Sequence, residues 1–320
     1  MPTRSNLGID RILSRYTLLL KNQPNMFIAD KALPTATVNH PRGKYYTVSP
    51  GFSYASPGYG LLRTSGADFR RVTTDVSSSS LFDLKEYGIE APVDDIDREF
   101  AGSDALDLRQ AATQIAWNNA MIERERDFAA LMFDNSSTFS SYTAALSGSS
   151  QWDHASSDPL TQADLAAESI RQNTGVPRSE ISLLIGAKVW EALRKNTALT
   201  DFYKQVVAGS KVLDTATVAA VLGIKEIIVG SAVGVSTGEG GADTKADIWG
   251  KFALFYHKVD NPTALTPHGV GACFSMAGRQ AGRVERYREE PRSEVMLVSW
   301  LEDRKVTNAS AGYLFSGAVS

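Results

Sequence analysis

The sequence has one cysteine, Cys273, and four histidines, His40, His154, His257 and His268. A lone cysteine excludes a disulfide framework within the chain and a multi-cysteine zinc site. It also fits a reducing compartment. The histidines lack metal-ligand spacing such as H-x-x-x-H, so they read as surface or internally satisfied side chains. Neither sign of charge dominates. The net charge of -3 gives no bulk attraction to nucleic acid or anionic membranes. That argues against a protein that reads DNA, though not against one that encloses it. No apolar run approaches the roughly 18 residues that span a bilayer. The N-terminal IDRILSRYTLLLKN is interrupted by Arg11 and Arg15, so it lacks a signal peptide's apolar centre. What is present is ordinary: 320 residues, 43% hydrophobic and 22% charged. That length is enough for about two domains and a sizeable core.

Ile9, Ile12, Leu13, Tyr16, Leu19 and Leu20 recur at helical spacing and predict a short amphipathic helix ending near Asn22, before Pro24. It is either a surface helix of its own domain or an arm that docks on a neighbour. Residues 34 to 80 are punctuated by Pro34, Pro41, Pro50 and Pro57, with strand-like KYYTV and FRRVTT between them. So long a stretch with so little core material reads as an extended hairpin or arm. Residues 104 to 133 contain neither Gly nor Pro and predict one helix of about 45 Å. Leu108, Ala112, Ile115, Asn119, Ile122, Arg126, Ala129 and Phe133 form its expected stripe, interrupted by the two polar members. Ser103 or Asp104 is the expected cap.

Residues 135 to 159 read as a Ser-rich loop. Helices and strands then alternate. LTQADLAAESIRQN is a helix capped by Thr161, with Gly175 just beyond it. ISLLIG is a buried strand, AKVWEALRKN and DTATVAAVLG are helices, and KEIIVGSAV and FALFYHKV are strands. RVERYREEPRSEVMLVSWL is extended, charged and then apolar. The class is α+β or α/β, too irregular for a doubly wound sheet, with no internal repeat.

Three constellations invite a chemical reading. EYGIEAPVDDIDREF holds six carboxylates: Glu86, Glu90, Asp94, Asp95, Asp97 and Glu99. A calcium loop begun at Asp95 fails, because Phe100 replaces its turn glycine and Leu106 its final glutamate. A solvated connection leading into the long helix is the better reading than a looser Ca²⁺ or Mg²⁺ site. GVSTG, 234 to 238, matches the nucleophile-elbow pattern around Ser236, with Asp243, Asp247 and His257 following in Ser–Asp–His order. However, the elbow requires a helix immediately afterwards, and EGGAD follows. The same loop lacks the Gly-Lys-Ser/Thr ending of a phosphate loop. Finally, Arg279, Arg283, Arg286, Arg288 and Arg292 are nearly cancelled by Glu285, Glu289, Glu290 and Glu294. This is a salt-bridging face rather than a phosphate track. ERERD, 123 to 127, has the same mixed character.

The order of parts is informative where no single motif is. A punctuated hairpin is followed by YGIEAPVDD, a long helix ending in LMFD, then VWEALRKNTAL, LGIKEIIVGSAV, IWGKFALFYH and a final DRKV…GYLF. This set resembles a major capsid protein of tailed bacteriophages with the Hong Kong 97 fold. The resemblance covers almost the whole chain and is most specific over 86 to 134 and 188 to 256. It implies an α+β chain with an N-arm (1–42), an extended E-loop and hinge (43–100) and a peripheral domain with a spine helix (101–155). An axial domain (156–278), peripheral return strands (279–301) and a C-terminal return to the axial domain (302–320) complete it. It further implies hexamers and pentamers closing an icosahedral shell around double-stranded DNA, without sequence-specific binding, membrane, cofactor, metal or catalysis.

A separate scaffolding protein and a portal are implied partners, a decoration protein an optional one, because the N-arm leaves no room for a fused scaffold. The virion capsid is the implied location, with assembly in the bacterial cytoplasm. Some such proteins cross-link through a lysine on the E-loop. Here no lysine lies between Lys44 and Lys85, so no such bond is expected. The expected inter-subunit contacts are Arg70, Arg71 and Asp75, then Glu123, Arg124, Glu125, Arg126 and Asp127, then Arg283, Glu285, Arg286, Arg288, Glu289 and Glu290. Charge pairs fix register while tolerating small shifts. The alternatives are an encapsulin-like compartment shell and a serine hydrolase using Ser236.

Overall fold

Alternation with period two towards the C-terminus and helical periodicity before it produce the layers of the computed structural model. The structure describes residues 8–9, 27–48, 65, 76–101, 105–206, 213–235, 244–262, 269–279, 284–289 and 293–320. In chain order the elements begin with β1 (Gly8–Ile9), α1 (Ala29–Ala32), β2 (Thr35–Val38), β3 (Arg42–Val48), β4 (Val76–Asp83) and β5 (Lys85–Asp94). Next come α2 (Asp95–Ala101), the long α3 (Ala105–Met132), β6 (Thr143–Ala145), α4 (Pro159–Thr174), β7 (Ile181–Gly186), α5 (Ala187–Lys195), α6 (Thr197–Val206) and α7 (Thr215–Leu222). Strands β8 (Glu226–Gly230), β9 (Val233–Val235), β10 (Lys245–Asp247), β11 (Ala253–His257), β12 (Gly271–Met276), β13 (Val284–Glu289), β14 (Ser293–Val306) and β15 (Gly312–Ser316) complete the chain.

Two sheets organise these elements. One has five strands in the order β6-β15-β11-β7-β8. Its central β7, ISLLIG, is buried at every position, as a continuous apolar run in a covered strand should be. Helices α4 to α7 close over it around Ile170, Leu183, Val189, Leu193, Leu199, Val218 and Phe255. The other sheet runs β1-β13-β14-β12-β2, with β5 also paired to β14. Helix α3 lies along β14 and β5. Ala116, Trp117, Ala120 and Met121 pack on Met296, Val298 and Trp300. Two antiparallel hairpins, β3–β4 and β9–β10, stand apart from both sheets.

Several expectations are corrected. The amphipathic N-terminal stretch begins extended, with Gly8 and Ile9 paired to Arg286 and Glu285, and its remainder lies outside the described residues. The acidic EYGIEAPVDD is no loose connection: β5 pairs with β14 over ten residues, Glu86 opposite Leu301 and Asp94 opposite Ser293. Its carboxylates and Pro92 suit a strand whose second edge must not recruit another. The cap of α4 is Asp158, which accepts from the backbone N–H of Leu160 and Thr161, with Pro159 in the first turn. Thr161 instead donates its hydroxyl to Asp158 at 2.6 Å. The Ser-rich segment contains β6 and a fully buried Trp152. Helix α6 was not anticipated, and β8 is only half-buried because it is an edge strand.

The stripe expected along the long helix also changes. Ile115 is 61% exposed. The buried side is Thr113, Ala116, Trp117, Ala120, Met121, Arg124, Glu125, Phe128 and Met132. The reading failed because it followed the apolar letters, whereas part of the buried stripe is charged. The expected caps Ser103 and Asp104 lie outside the described residues. The sheets also cross the expected domain limits. Strand β14 runs unbroken through 301/302, β12 joins the α3-side sheet, and β6 joins the five-stranded one.

Candidate functional site

The densest polar constellation lies where α3 passes between the two sheets. The ninth turn-facing side of that helix does not end in apolar residues but in Arg124 and Glu125, 5% and 1% exposed. Arg124 donates to Glu302 on β14 at 3.0 Å and to Asp30 on α1 at 2.7 Å. Arg304, two residues along the same strand and therefore on the same face as Glu302, pairs with Glu302 and with Asp127 of α3, the latter at 2.6 Å. Both guanidinium groups lie over the Phe128 ring, each 4.9 Å from its centroid. The Cys273 thiol of β12 donates to Glu302 at 3.4 Å. Four elements thus share one buried charge network, in which every listed pair uses charge-assisted bonds.

The local electrostatics follow. Burial alone would raise the Glu302 carboxyl, but Arg124 and Arg304 outweigh it and hold the group below its ordinary value. Burial works against the Arg124 cation, and Asp30 and Glu302 more than restore it, so the guanidinium is raised. Burial, reinforced by Glu302, pushes the Cys273 thiol up, leaving it inert.

Glu125 faces a different set. Its two carboxylate oxygens accept from the Ala29 backbone N–H and from Trp249 Nε1, both at 2.7 Å. Burial raises this carboxyl despite those bonds. The Trp249 indole fits because β7 and β8 place Gly186 beside Gly230. A Cβ at Gly230 would overlap the indole ring. Around the same four-residue α1, Tyr256 donates its hydroxyl to the Ala32 carbonyl at 2.8 Å and Lys258 donates to the Lys31 carbonyl at 3.2 Å. So short a helix cannot persist alone. It is held by side chains from α3, β11 and the adjoining loops. Beyond the network, a groove of about 800 Å³ opens between α3 and the sheet, lined among others by Tyr87, Ile89, Ile122, Arg126, Val235 and Trp300.

Of the residues expected to bind neighbours, Arg124 and Glu125 are corrected: their side chains are engaged inside this chain. Glu123 and Arg126 pair with each other on the outer surface, and Arg126 also donates to the Val235 carbonyl. Asp127 is half-exposed while bound to Arg304. Glu285, Arg286, Arg288 and Glu289 lie on β13. Arg70, Arg71, Asp75, Arg283 and Glu290 lie outside the described residues. So do Ser236 and Asp243 of the hydrolase reading. The strand before Ser236 returns as the antiparallel β10. Asp247 is paired to Lys188 at 3.2 Å, and His257 Nδ1 lies 3.3 Å from the Glu180 carbonyl.

Asp30, Glu302, Arg304 and Trp249 were missed. A signal was available for two of them: Glu302 and Arg304 alternate in LEDRKV directly after the apolar VMLVSW, as inward charges on a half-buried strand do.

No family model matches the chain. Among curated proteins it is 24% identical to the major capsid protein of Pseudomonas phage JBD67, over 98% of this chain and 97% of that one. It is 25% identical to the major capsid protein of Burkholderia phage BcepMu, over 97% and 96%. Among solved structures it superposes on a phage-related protein from Bordetella bronchiseptica RB50 with a TM-score of 0.74, 22% identity and 98% of both chains covered. The capsid of cyanophage P-SCSP1u gives 0.55 at 12% identity, covering 91% of this chain and 88% of that one. The SrpI encapsulin of Synechococcus elongatus PCC 7942 gives 0.52 at 11%, covering 99% and 92%. The α+β architecture is that of phage capsid proteins, the Hong Kong 97-type fold.

Proposed function

We propose that this homologue of phage major capsid proteins self-assembles into hexamers and pentamers that close an icosahedral shell around double-stranded DNA. The observation that carries the reading is end-to-end similarity to two phage major capsid proteins, joined to the capsid fold. The role is structural, not catalytic. The virion capsid is its place, reached by assembly in the host cytoplasm with a separate scaffolding protein and a portal, and with a decoration protein as an optional partner.

The parts divide the work. The arm (1–42) and the β3–β4 hairpin region (43–100) extend to neighbours. Helix α3 with its sheet is the peripheral body, and the five-stranded sheet with α4 to α7 is the axial one. The network of Arg124, Glu302, Arg304, Asp30 and Asp127 fixes these parts in register within a subunit. Arg70, Arg71, Asp75, Glu123, Arg126, Arg283, Glu285, Arg286, Arg288, Glu289 and Glu290 supply charged contacts between subunits. Electron microscopy of the purified protein, expressed with and without its neighbouring genes, is the test. Closed shells or rings of five and six support the reading. A uniform monomer or dimer under every condition refutes it. Arg70→Glu with Arg71→Glu is expected to abolish closed shells while leaving the monomer folded, and normal shells from that variant remove those two contacts from the proposal.

Similarity to an encapsulin fold favours one second reading, a compartment shell that holds protein cargo. Shells that protect nucleic acid from nuclease support the phage reading, and shells filled with a co-purifying enzyme support the compartment.

A further inference from the structure

Between Arg109 and Glu123, helix α3 carries no charged residue for thirteen positions, about 20 Å of helix. One side of this stretch is buried against β14. The other is not: Ala111, Gln114, Ile115 and Asn119 are exposed, and Leu108 at the helix start is 36% exposed. An exposed helix face with apolar residues and no charge is unlike a solvated protein surface, where about a quarter or more of the residues are charged.

The chain itself contains a segment of matching length and pattern. Ile9 pairs with Glu285, and Glu285 stands opposite Leu297 of β14. Ile9 is therefore two strand steps from β14, about 10 Å. Phe27 packs on the cluster of Ala116, Trp117, Ala120, Met296, Val298 and Trp300. Residues 10 to 26 therefore leave and rejoin the body beside the middle of α3. Their sequence predicts an amphipathic helix with Ile9, Ile12, Tyr16 and Leu19 at steps of three and four. Fourteen residues of helix measure about 21 Å, the length of the uncharged stretch. Leu108, Ala111, Ile115, Asn118 and Ile122 on α3 repeat the same steps, and two such stripes pack with a shallow crossing angle.

We propose that the uncharged face of α3 is the seat of residues 10 to 26 of the same chain, docked as a second helix alongside it. The inference concerns the single subunit and stands whether or not the subunit builds a shell.

Limited trypsin digestion of the full-length, unassembled protein tests it, because Arg11, Arg15 and Lys21 all lie in the segment. Ile115→Glu replaces a side chain already 61% exposed, so the body keeps its fold. Cleavage after those three residues is expected to accelerate about tenfold in the variant, the effect of losing one buried aliphatic contact. Equal rates in both proteins overturn the proposal. A second measurement uses Leu13→Cys with Ile115→Cys and a short bismaleimide, the native Cys273 being 1% exposed and so silent. A cross-link within one chain supports the seat in cis. A cross-linked dimer assigns the face to another copy, and no cross-link leaves it for a different partner's helix. Either of those two results overturns the proposal.

Discussion

The two halves of α3 bury opposite kinds of side chain against the same strand. The first half presents Ala116, Trp117, Ala120 and Met121 to Met296, Val298 and Trp300. The second presents Arg124 to Glu302 and, one turn on, Asp127 to Arg304. Apolar packing tolerates modest repacking and small slips. A buried charge network tolerates neither, since each displaced partner leaves an uncompensated ion. The helix is thus joined to its sheet by an adaptable half and a register-setting half. Only the second also reaches α1, through Asp30 and the Ala29 amide. A subunit that occupies more than one setting in a shell gains from an internal geometry that does not drift.

The largest effect should come from Glu302→Ala, which strands Arg124 and Arg304 in the interior. Loss of one partner from such a network costs about 3–5 kcal/mol, read as a fall in the urea midpoint. The wild-type acid response belongs to the same comparison. Glu302 is held below its ordinary value, so its contribution is complete above the unfolded carboxylate pKa of about 4.3 and is lost as pH falls through the lower folded value. The wild type should therefore lose stability below about pH 4, and Glu302→Ala should lose much less there because that contribution is already gone. An unchanged acid slope in the variant would show that other carboxylates carry the response.

Met296→Ala probes the apolar half. Met296 is fully buried against Ala116 and Trp117, and truncation should cost about 2–4 kcal/mol through the cavity it leaves. The diagnostic is the shape of the pH profile. This variant should shift stability downward by the same amount at pH 7 and pH 4, because no titrating group is lost. A pH-dependent deficit would mean that the two halves of the helix are coupled rather than separable.

The same contrast explains what sequence reading could and could not find. The five-stranded sheet and its helices were legible: ISLLIG, AKVWEALRKN and DTATVAAVLG carry unmixed periodicities, and Gly175 and Gly223 end helices in the left-handed conformation. There local pattern and tertiary burial agree. The α3 side was legible as a long helix but not as a face. Burying Arg124 and Glu125 depends on Asp30, Glu302 and Trp249, and partners 94 to 178 residues away leave no local trace. The acidic β5 was misread for a related reason. Its alternation is polar on both sides, and its strand character comes from pairing with β14 rather than from its own composition.

Glu125→Gln should give the smallest change and the finest distinction. The carboxylate serves two donors, the Ala29 N–H and Trp249 Nε1, and an amide offers one acceptor oxygen for both. The lost bond costs about 1–2 kcal/mol, partly offset by removing a buried charge. The pH dependence carries more information than the size. Burial raises Glu125, so the folded protein takes up this proton before the unfolded chain does, and acidification from the raised folded pKa down to about 4.3 favours the folded state. That sign is opposite to Glu302. Removing it should make the acid loss begin at higher pH than in the wild type, with Trp249 fluorescence reporting the change at the α1 seat. An acid limb that instead moves to lower pH would mean that Glu125 is stabilised as an anion, and that its two bonds outweigh its burial.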